Sequence, residues 1–240
     1  MKRFTVLAFV SLIPLSYVHA QKSDSDLREA LLNSSHEQRA EALEQLGLQK
    51  EDARKYEDEG PSMAGGITWT DLKPDRNVSR ALVFLPCPDG SDVATLLLLQ
   101  KSQSSWVTSD TTVFDCHYNG AVSIQVASLR NAHEQDVLVQ HATDEHGTAW
   151  LQQDAYVYAI EGGKLEEVFR VKDRNRNMDT DEESVFLPVQ LSNSTVSCLE
   201  ETRFDRGKSG LVQRRMFCWS ASHHKFVTTG FKSVTTEAIK

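Results

Sequence analysis

From residue 67 onward, short apolar runs and alternations recur at spacings of roughly 10 to 15 residues. Residues 81–85 and 93–99 are continuous apolar runs, which are typical of strands buried on both faces, although the second run also fits a helix. Residues 121–129 alternate apolar and polar side chains, as a strand with one buried face does. The remaining predicted strands are 106–115, 136–142, 150–160, 165–171, 184–191, 195–204, 211–219 and 225–231.

About eleven such segments with mostly short connections predict antiparallel neighbours. The fold class that follows is mainly β: an antiparallel meander that forms a propeller-like assembly, a sandwich or an open barrel. A short helical arm precedes it. The predicted organisation is a signal peptide at 1–20, a helical arm at 21–60, a linker at 61–66 and an antiparallel β domain at 67–240.

The strongest local signal is the segment 150–171, in which Gly162 and Gly163 separate two runs rich in β-forming residues. A Gly-Gly pair between such runs predicts a two-residue hairpin turn. A lone hairpin is marginally stable in water, so this one implies further strands beside it. The register that follows from a regular ladder pairs Ile160 with Leu165, Val157 with Val168, and Tyr156 with Phe169.

A second hairpin is predicted where the strands 195–204 and 211–219 flank a loop containing Gly207 and Gly210. Folding it about Lys208 places Cys198 opposite Cys218, at a Cα separation of about 4.5 Å that a disulfide can span. The same register pairs Phe204 with Val212, Glu201 with Arg215, and Leu199 with Phe217. A bulge that shifts the register by one residue would instead send the two sulfur atoms to opposite faces.

The cysteine count agrees with this pairing. The chain has four cysteines, and an even number in an exported protein favours two disulfides. By elimination, Cys87 pairs with Cys116. No CxxC spacing is present, so a thioredoxin-like or zinc-ribbon motif is unsupported.

Residues 22–60 have helical spacing, with Gln38 three residues after Ser35 as a capping-box partner and Gly47 as an interruption. Two or three short helices are expected. This segment holds six basic and eleven acidic residues. Its charged face has two interpretations, a helix that docks on a partner or a solvated arm packed loosely on the main domain.

The N-terminus predicts export. Lys2 and Arg3 precede an apolar run that is shorter than the roughly 20 residues a bilayer span needs, and small residues end the segment at Ala20. Its removal leaves 24 basic and 34 acidic side chains, a net charge of −10. Such an acidic chain argues against nucleic acid as a partner. We therefore expect a periplasmic or extracellular protein without a membrane span.

One family resemblance accompanies the strand pattern. The alternating segment 121–129, the polar loop after it, the strand from 136 and the hairpin at 156–171 are similar in layout to blades of FG-GAP or VCBS-type β-propellers. The strand pair at 217–219 and 225–227 also resembles exported bacterial β-repeat proteins of unknown function. The resemblance implies antiparallel meander sheets. It also implies an acidic calcium loop between the first two strands, and residues 130–135 do not supply one.

A different segment contains oxygen-bearing side chains at alternate positions, as an EF-hand-type calcium loop does. Met178 stands at its sixth position, where the sharp turn needs glycine, and Ser184 stands at its twelfth, where a glutamate is expected. A plain polar loop explains the composition as well. The candidate ligands are Asp173, Asn175, Asn177, Asp179 and Asp181.

Histidines and carboxylates cluster at 141–146, where His141, Asp144, Glu145 and His146 lie close in sequence. Two histidines and a carboxylate are sufficient to hold zinc or to work as acid and base. This spacing lacks the helical HExxH geometry that presents both rings on one face. A solvated loop is the alternative interpretation.

No G-x-S-x-G elbow marks a nucleophile, and no cofactor motif is present, so we expect no cofactor. The sequence favours a non-catalytic binding or envelope-associated module whose partner is a protein, a glycan or an envelope component. The alternative is a secreted hydrolase that uses the cluster from His141 to His146. Asn33, Asn77 and Asn193 are glycosylation acceptors if the host glycosylates such sites.

Overall fold

The computed structural model describes residues 24–32, 35–56, 66–74, 78–87, 93–115, 121–145, 150–176, 182–191, 196–205, 211–230 and 232–234. The predicted signal peptide and the sequons at Asn33, Asn77 and Asn193 lie outside these ranges. Three helices come first: α1 (Asp24–Leu32), α2 (His36–Gln45) and α3 (Lys50–Arg54). The strands that follow are β1 (Thr68–Asp71), β2 (Arg80–Leu85), β3 (Val93–Ser102), β4 (Ser105–Asp115), β5 (Ala121–Ala127), β6 (Asp136–Glu145), β7 (Trp150–Glu161), β8 (Lys164–Arg176), β9 (Glu182–Gln190), β10 (Ser197–Asp205), β11 (Leu211–Ser220), β12 (Lys225–Thr228) and β13 (Lys232–Val234).

The strands form three open antiparallel sheets, each built from consecutive segments. The first sheet has the order β1-β2-β3-β4, and the second has the order β5-β6-β7-β8. The third has the order β12-β11-β10-β9, with β13 also paired to β11. The expected mainly β meander with a short helical arm is confirmed. The sequence pattern missed β1 and β13, which have four and three residues.

The three sheets and the helices stack as four layers. In β2, Val83 packs toward the helices while Leu82 and Phe84 pack toward the second sheet. In β6, Val139 faces the first sheet and Leu138 faces the third. Because both faces of these strands are covered, their sequences read as continuous apolar runs.

The helical arm is a full layer of the core. Ser35 caps α2, and its backbone N–H donates to the Gln38 Oε1 at 3.4 Å, so the predicted capping box is present. Leu31 and Leu43 are at most 1% exposed and share one core with the first sheet. The arm is therefore firmly packed, which differs from the loose packing that its charge content had indicated. Most of the charged side chains described in the arm are exposed, whereas Arg39 is half-buried and its Nε donates to the Leu31 carbonyl oxygen at 3.2 Å.

The hairpin at Gly162 and Gly163 has the predicted turn, with φ angles of 57° and 82°. Ile160 pairs with Leu165 as expected. Further along, the predicted register is wrong by one residue, because a bulge between Val157 and Tyr158 inserts an extra residue. The observed partners are Phe169 for Val157 and Arg170 for Tyr156.

The second hairpin has the predicted register. Phe204 pairs with Val212, and Leu199 pairs with Phe217. One step further, Cys198 and Cys218 form a disulfide with their Cα atoms 4.5 Å apart. Cys87 is also disulfide-bonded, and its predicted partner, Cys116, lies outside the described residues.

No helix in the described part of the chain is long and apolar enough to cross a membrane.

Candidate functional site

β4 changes the face that it presents to the helices at a β-bulge. Trp106 and Phe114 are separated by an even number of residues, so a regular strand would place both side chains on one face. Instead, Trp106 packs against the helical core and Phe114 packs against the second sheet. The cause is a register shift opposite Leu98 and Leu99, where Ser109 is the extra residue. Beyond this bulge, odd-numbered side chains of β4 face the helical layer.

An apolar groove with a volume of about 340 Å³ lies between the helical arm and the β3–β4 side of the first sheet. Thr111 and Val113 line its sheet side, and Val113 is 62% exposed. The Thr108 hydroxyl donates to the Leu46 carbonyl oxygen at 2.6 Å, which fixes α2 against β4. This hydrogen bond links the helical side of the groove to the sheet side. The other lining residues of the groove are Leu46, Gly47, Leu48, Gln49, Asp52, Lys55, Tyr56, Val93, Thr95 and Leu97.

The outer strands of the three sheets differ in how they are protected against pairing with another chain. β1 and β12 have only four residues each, and eight of the 13 residues of β8 are charged. β9 contains Pro188. Its backbone N–H groups at Ser184 and Phe186 donate to the side-chain oxygens of Gln153 and Gln140, both at 2.9 Å. These edges offer little free backbone.

β4 and β5 are outer strands without lysine, arginine or proline. β4 is longer, with 11 residues against seven, and it borders the apolar groove. Asp110 touches the second sheet by accepting a hydrogen bond from the Leu165 backbone N–H at 2.7 Å. Beyond that contact, Thr111 and Val113 are exposed, and no described strand pairs with the outer side of β4.

A second cavity, with a volume of about 510 Å³, opens between the first and second sheets. The end of the β1–β2 hairpin forms one wall, and the β5–β6 loop with the β7–β8 turn forms the other. Gln135 ties the walls together, because its side-chain oxygen accepts a hydrogen bond from the Lys73 backbone N–H at 2.5 Å. We call this cavity the inter-sheet cleft. Its lining residues are Leu72, Lys73, Pro74, Val78, Arg80, His133, Glu134, Gln135, Ile160, Glu161 and Gly162.

Arg130 organises the β5–β6 loop. Its Nε donates to Asp136 at 2.7 Å, its Nη1 donates to Glu161 at 2.5 Å, and its Nη2 lies 3.4 Å from Glu134. Asp136 is fully buried and also accepts the backbone N–H groups of Leu129 and Arg130, both at 3.0 Å. Burial lowers the pKa of Arg130, but hydrogen bonds and charge from Asp136 and Glu161 outweigh it, so the pKa is raised.

A buried polar cluster lies between the second and third sheets. Glu201 is fully buried, and it accepts hydrogen bonds from Arg203 at 2.9 Å and from Arg215. The Ser184 hydroxyl donates to the same carboxylate at 3.3 Å. Two guanidinium groups thus compensate one buried carboxylate, which is a structural arrangement rather than a reactive one.

Asp154 forms a similar cluster on the other face of the second sheet. It is 2% exposed and accepts hydrogen bonds from the Tyr156 hydroxyl at 2.9 Å and from Arg170 at 2.8 Å. Burial first, and then the Asp154 contact, raise the pKa of Tyr156. The phenol therefore keeps its proton and acts as a donor.

Of the residues in the predicted hydrolase cluster, the structure describes the side chain of His141 alone. His141 is half-buried on β6, its Nε2 contacts the Asp115 carbonyl oxygen, and its ring lies 6.4 Å from Phe114. Asp144 and Glu145 belong to the end of β6, where only the backbone is described. His146 lies outside the described residues.

The candidate calcium ligands are divided between strand and undescribed chain. Asp173 and Asn175 lie in β8, where they pair with Gln153 and Gln152 of β7. Asn177, Asp179 and Asp181 lie outside the described residues. Within the described ranges, no group of three or more His, Cys, Asp or Glu side chains is arranged to hold a metal ion.

No protein-family model matches this chain, and no curated protein matches its sequence. The groove, the β4 edge and the inter-sheet cleft are the structural features that indicate a function.

Sequence reasoning missed these features for a physical reason. Each cavity is formed by side chains from segments far apart in the chain, such as Lys73 and Glu161. One signal was available: β4 combines strand length with a lack of lysine, arginine and proline, and a sheet that ends on it has an unprotected edge.

Proposed function

We propose that this protein is an exported, non-catalytic binding module that takes an extended segment of a partner protein onto the outer edge of β4. The observation that carries the proposal is the unprotected β4 edge beside an apolar groove. Export is supported by the basic and apolar N-terminus and by the disulfide between Cys198 and Cys218.

Strand addition uses backbone hydrogen bonds for affinity and pockets along the sheet for specificity. The β4 edge supplies the backbone hydrogen bonds, because its outer backbone groups have no described strand partner. The groove supplies the pocket, because alternate side chains of a strand added beside Thr111 and Val113 would face Leu46, Leu48 and the rest of the helical arm. The expected ligand is an extended segment with apolar side chains at alternate positions.

The other outer strands support the choice of β4. β8 is densely charged, and two glutamine side chains cover the backbone of β9. β5 lacks charges but has seven residues and does not border the groove. An added strand therefore gains the most backbone pairing and apolar contact at β4.

A selection of linear peptides from a display library, with the mature full-length protein as bait, tests the proposal. We expect the selected peptides to alternate apolar and polar residues and to lose at least about tenfold in affinity when Val113 is replaced by lysine, since a charge would point into the apolar groove. Val113→Lys should leave the fold intact, because this side chain is 62% exposed.

The matched control is Ser123→Lys, which places the same charge on the exposed face of the β5 edge. It should leave peptide affinity unchanged. Peptides that bind Val113→Lys as tightly as the native protein would contradict the proposal, and so would peptides that Ser123→Lys weakens to the same extent.

A further inference from the structure

The inter-sheet cleft has walls of opposite charge. Lys73 and Arg80 contribute two cationic side chains from the first sheet. Glu134 and Glu161 contribute two carboxylates from the second sheet. Leu72 and Ile160 are among the apolar residues that line the space between the charged groups.

The acidic wall is held in place by Arg130 without being neutralised by it. The Arg130 Nη2 lies 3.4 Å from Glu134, and the Arg130 Nη1 lies 2.5 Å from Glu161, so one guanidinium orients the two carboxylates. The same guanidinium also compensates buried Asp136. Three carboxylates therefore share one positive charge. Glu134 and Glu161 remain 53% and 52% exposed, which leaves them accessible from the cleft.

We infer that the inter-sheet cleft is a second binding site, whose ligand is a zwitterion: a short peptide with a free amino terminus and a free carboxyl terminus. The ammonium group lies against Glu134 and Glu161, and the carboxylate lies against Lys73. A ligand of a single charge sign meets repulsion from one wall, whereas a zwitterion is matched on both sides.

The size of the cleft agrees with this class of ligand. Sites for small ligands commonly have volumes of about 300–1,000 Å³, and the cleft has about 510 Å³. Its walls are also fixed before binding. Asn131 Oδ1 accepts the backbone N–H groups of His133 and Glu134, both at 2.9 Å, which holds the loop that carries the acidic wall. A preformed site loses little affinity to ordering on binding.

The test is an NMR titration of the ¹⁵N-labelled mature protein with alanine, dialanine, trialanine and tetraalanine, which vary the distance between the two charges. We expect at least one of these probes to shift the backbone amide signals of Gln135 and Gly162. The N-acetylated and the C-amidated forms of that probe should each bind about tenfold more weakly, since each lacks one charge.

Two substitutions locate the site. Glu161→Gln and Lys73→Met should each weaken binding about tenfold, whereas Glu166→Gln and Lys225→Met, the matched changes outside the cleft, should have no effect. If Glu161→Gln disturbs the loop, Lys73→Met alone decides the question. Blocked probes that bind as tightly as the free ones would overturn the inference. Shifts confined to residues outside the cleft, or no shift with any probe, would overturn it as well.

Discussion

Replacing Arg130 with alanine removes the guanidinium that the β5–β6 loop is built around. Asp136 is fully buried and 2.7 Å from the Arg130 Nε, so the substitution leaves a carboxylate without its counterion. The arginine also lies over the Trp219 ring, 5.9 Å from its centroid, and so links the loop to the third sheet. We expect Arg130→Ala to destabilise the whole stack and the loop together.

The expected loss follows from these contacts. Removing one partner of a buried ion pair costs about 3–5 kcal/mol. Asp136 keeps its two backbone hydrogen bonds from Leu129 and residue 130, which favours the lower end of that range. The stacking on Trp219 adds about 0.5–1 kcal/mol. The contacts with Glu134 and Glu161 add little, because both carboxylates are half-exposed. The total is about 4 kcal/mol.

Urea unfolding of the mature protein measures this loss. The matched control is Arg214→Ala, since Arg214 forms a looser pair with Glu200 at 3.7 Å and is 42% exposed. It should cost less than about 1 kcal/mol. In the Arg130→Ala background, Asp136→Asn should recover about 2 kcal/mol, because the neutral amide removes the unpaired charge and its oxygen still accepts both backbone N–H groups.

Two results would refute this reasoning. The first is a destabilisation by Arg130→Ala no larger than that by Arg214→Ala. The second is additivity of the Arg130 and Asp136 substitutions in the double mutant, since independent effects would mean that the two charges do not stabilise each other.

The other predictions concern the third sheet, the Tyr158 phenol and the hairpin turn. Replacing both Cys198 and Cys218 with alanine should lower the free energy of unfolding by about 3 kcal/mol, since their sequence separation is 20 residues; an unchanged urea midpoint would contradict this. Burial, with a smaller contribution from Glu167, raises the pKa of Tyr158 from 10.0 to about 12. The unfolded chain therefore loses the Tyr158 proton at lower pH than the folded protein does, and Tyr158 should lower stability between pH 10 and pH 12 by up to about 1.4 kcal/mol per pH unit. Tyr156, whose pKa is also raised, adds to the fall. Tyr158→Phe should flatten that fall in urea titrations, and an identical slope would exclude Tyr158 as its source. Gly163→Ala should cost about 1 kcal/mol in thermal unfolding, because φ there is 82°; a stability equal to native would show that the turn relaxes.

The strand positions and the register of the second hairpin could be predicted from the sequence, because regular periodicity and turn residues determine them. The position of the turn and a regular antiparallel register were enough to predict that Leu199 pairs with Phe217 and that Cys198 lies opposite Cys218. The register predicted for the hairpin at Gly162 was wrong beyond Tyr158, because no residue type in the sequence indicates the bulge next to Val157. A bulge bends its strand and increases the local twist, and whether packing favours that bend depends on the assembled stack of sheets.

The candidate site was less accessible from sequence. The residues of the predicted clusters at 141–146 and 173–181 are close along the chain, whereas the cleft combines Lys73 with Glu161 from different sheets. The helical arm was also misjudged, since its charge content concealed a buried face that includes Leu31 and Leu43. In each case the missing information was which segments meet in space.

Hydrogen–deuterium exchange with a peptide selected on the mature protein tests the central claim most directly. If an extended segment pairs with β4, the amide groups of residues 111–115 should exchange more slowly when the peptide is bound, because strand pairing protects outward-facing N–H groups. Exchange in the β5 edge, residues 121–127, should not change. Protection of β5 or of the helical arm without any protection of β4 would contradict the account.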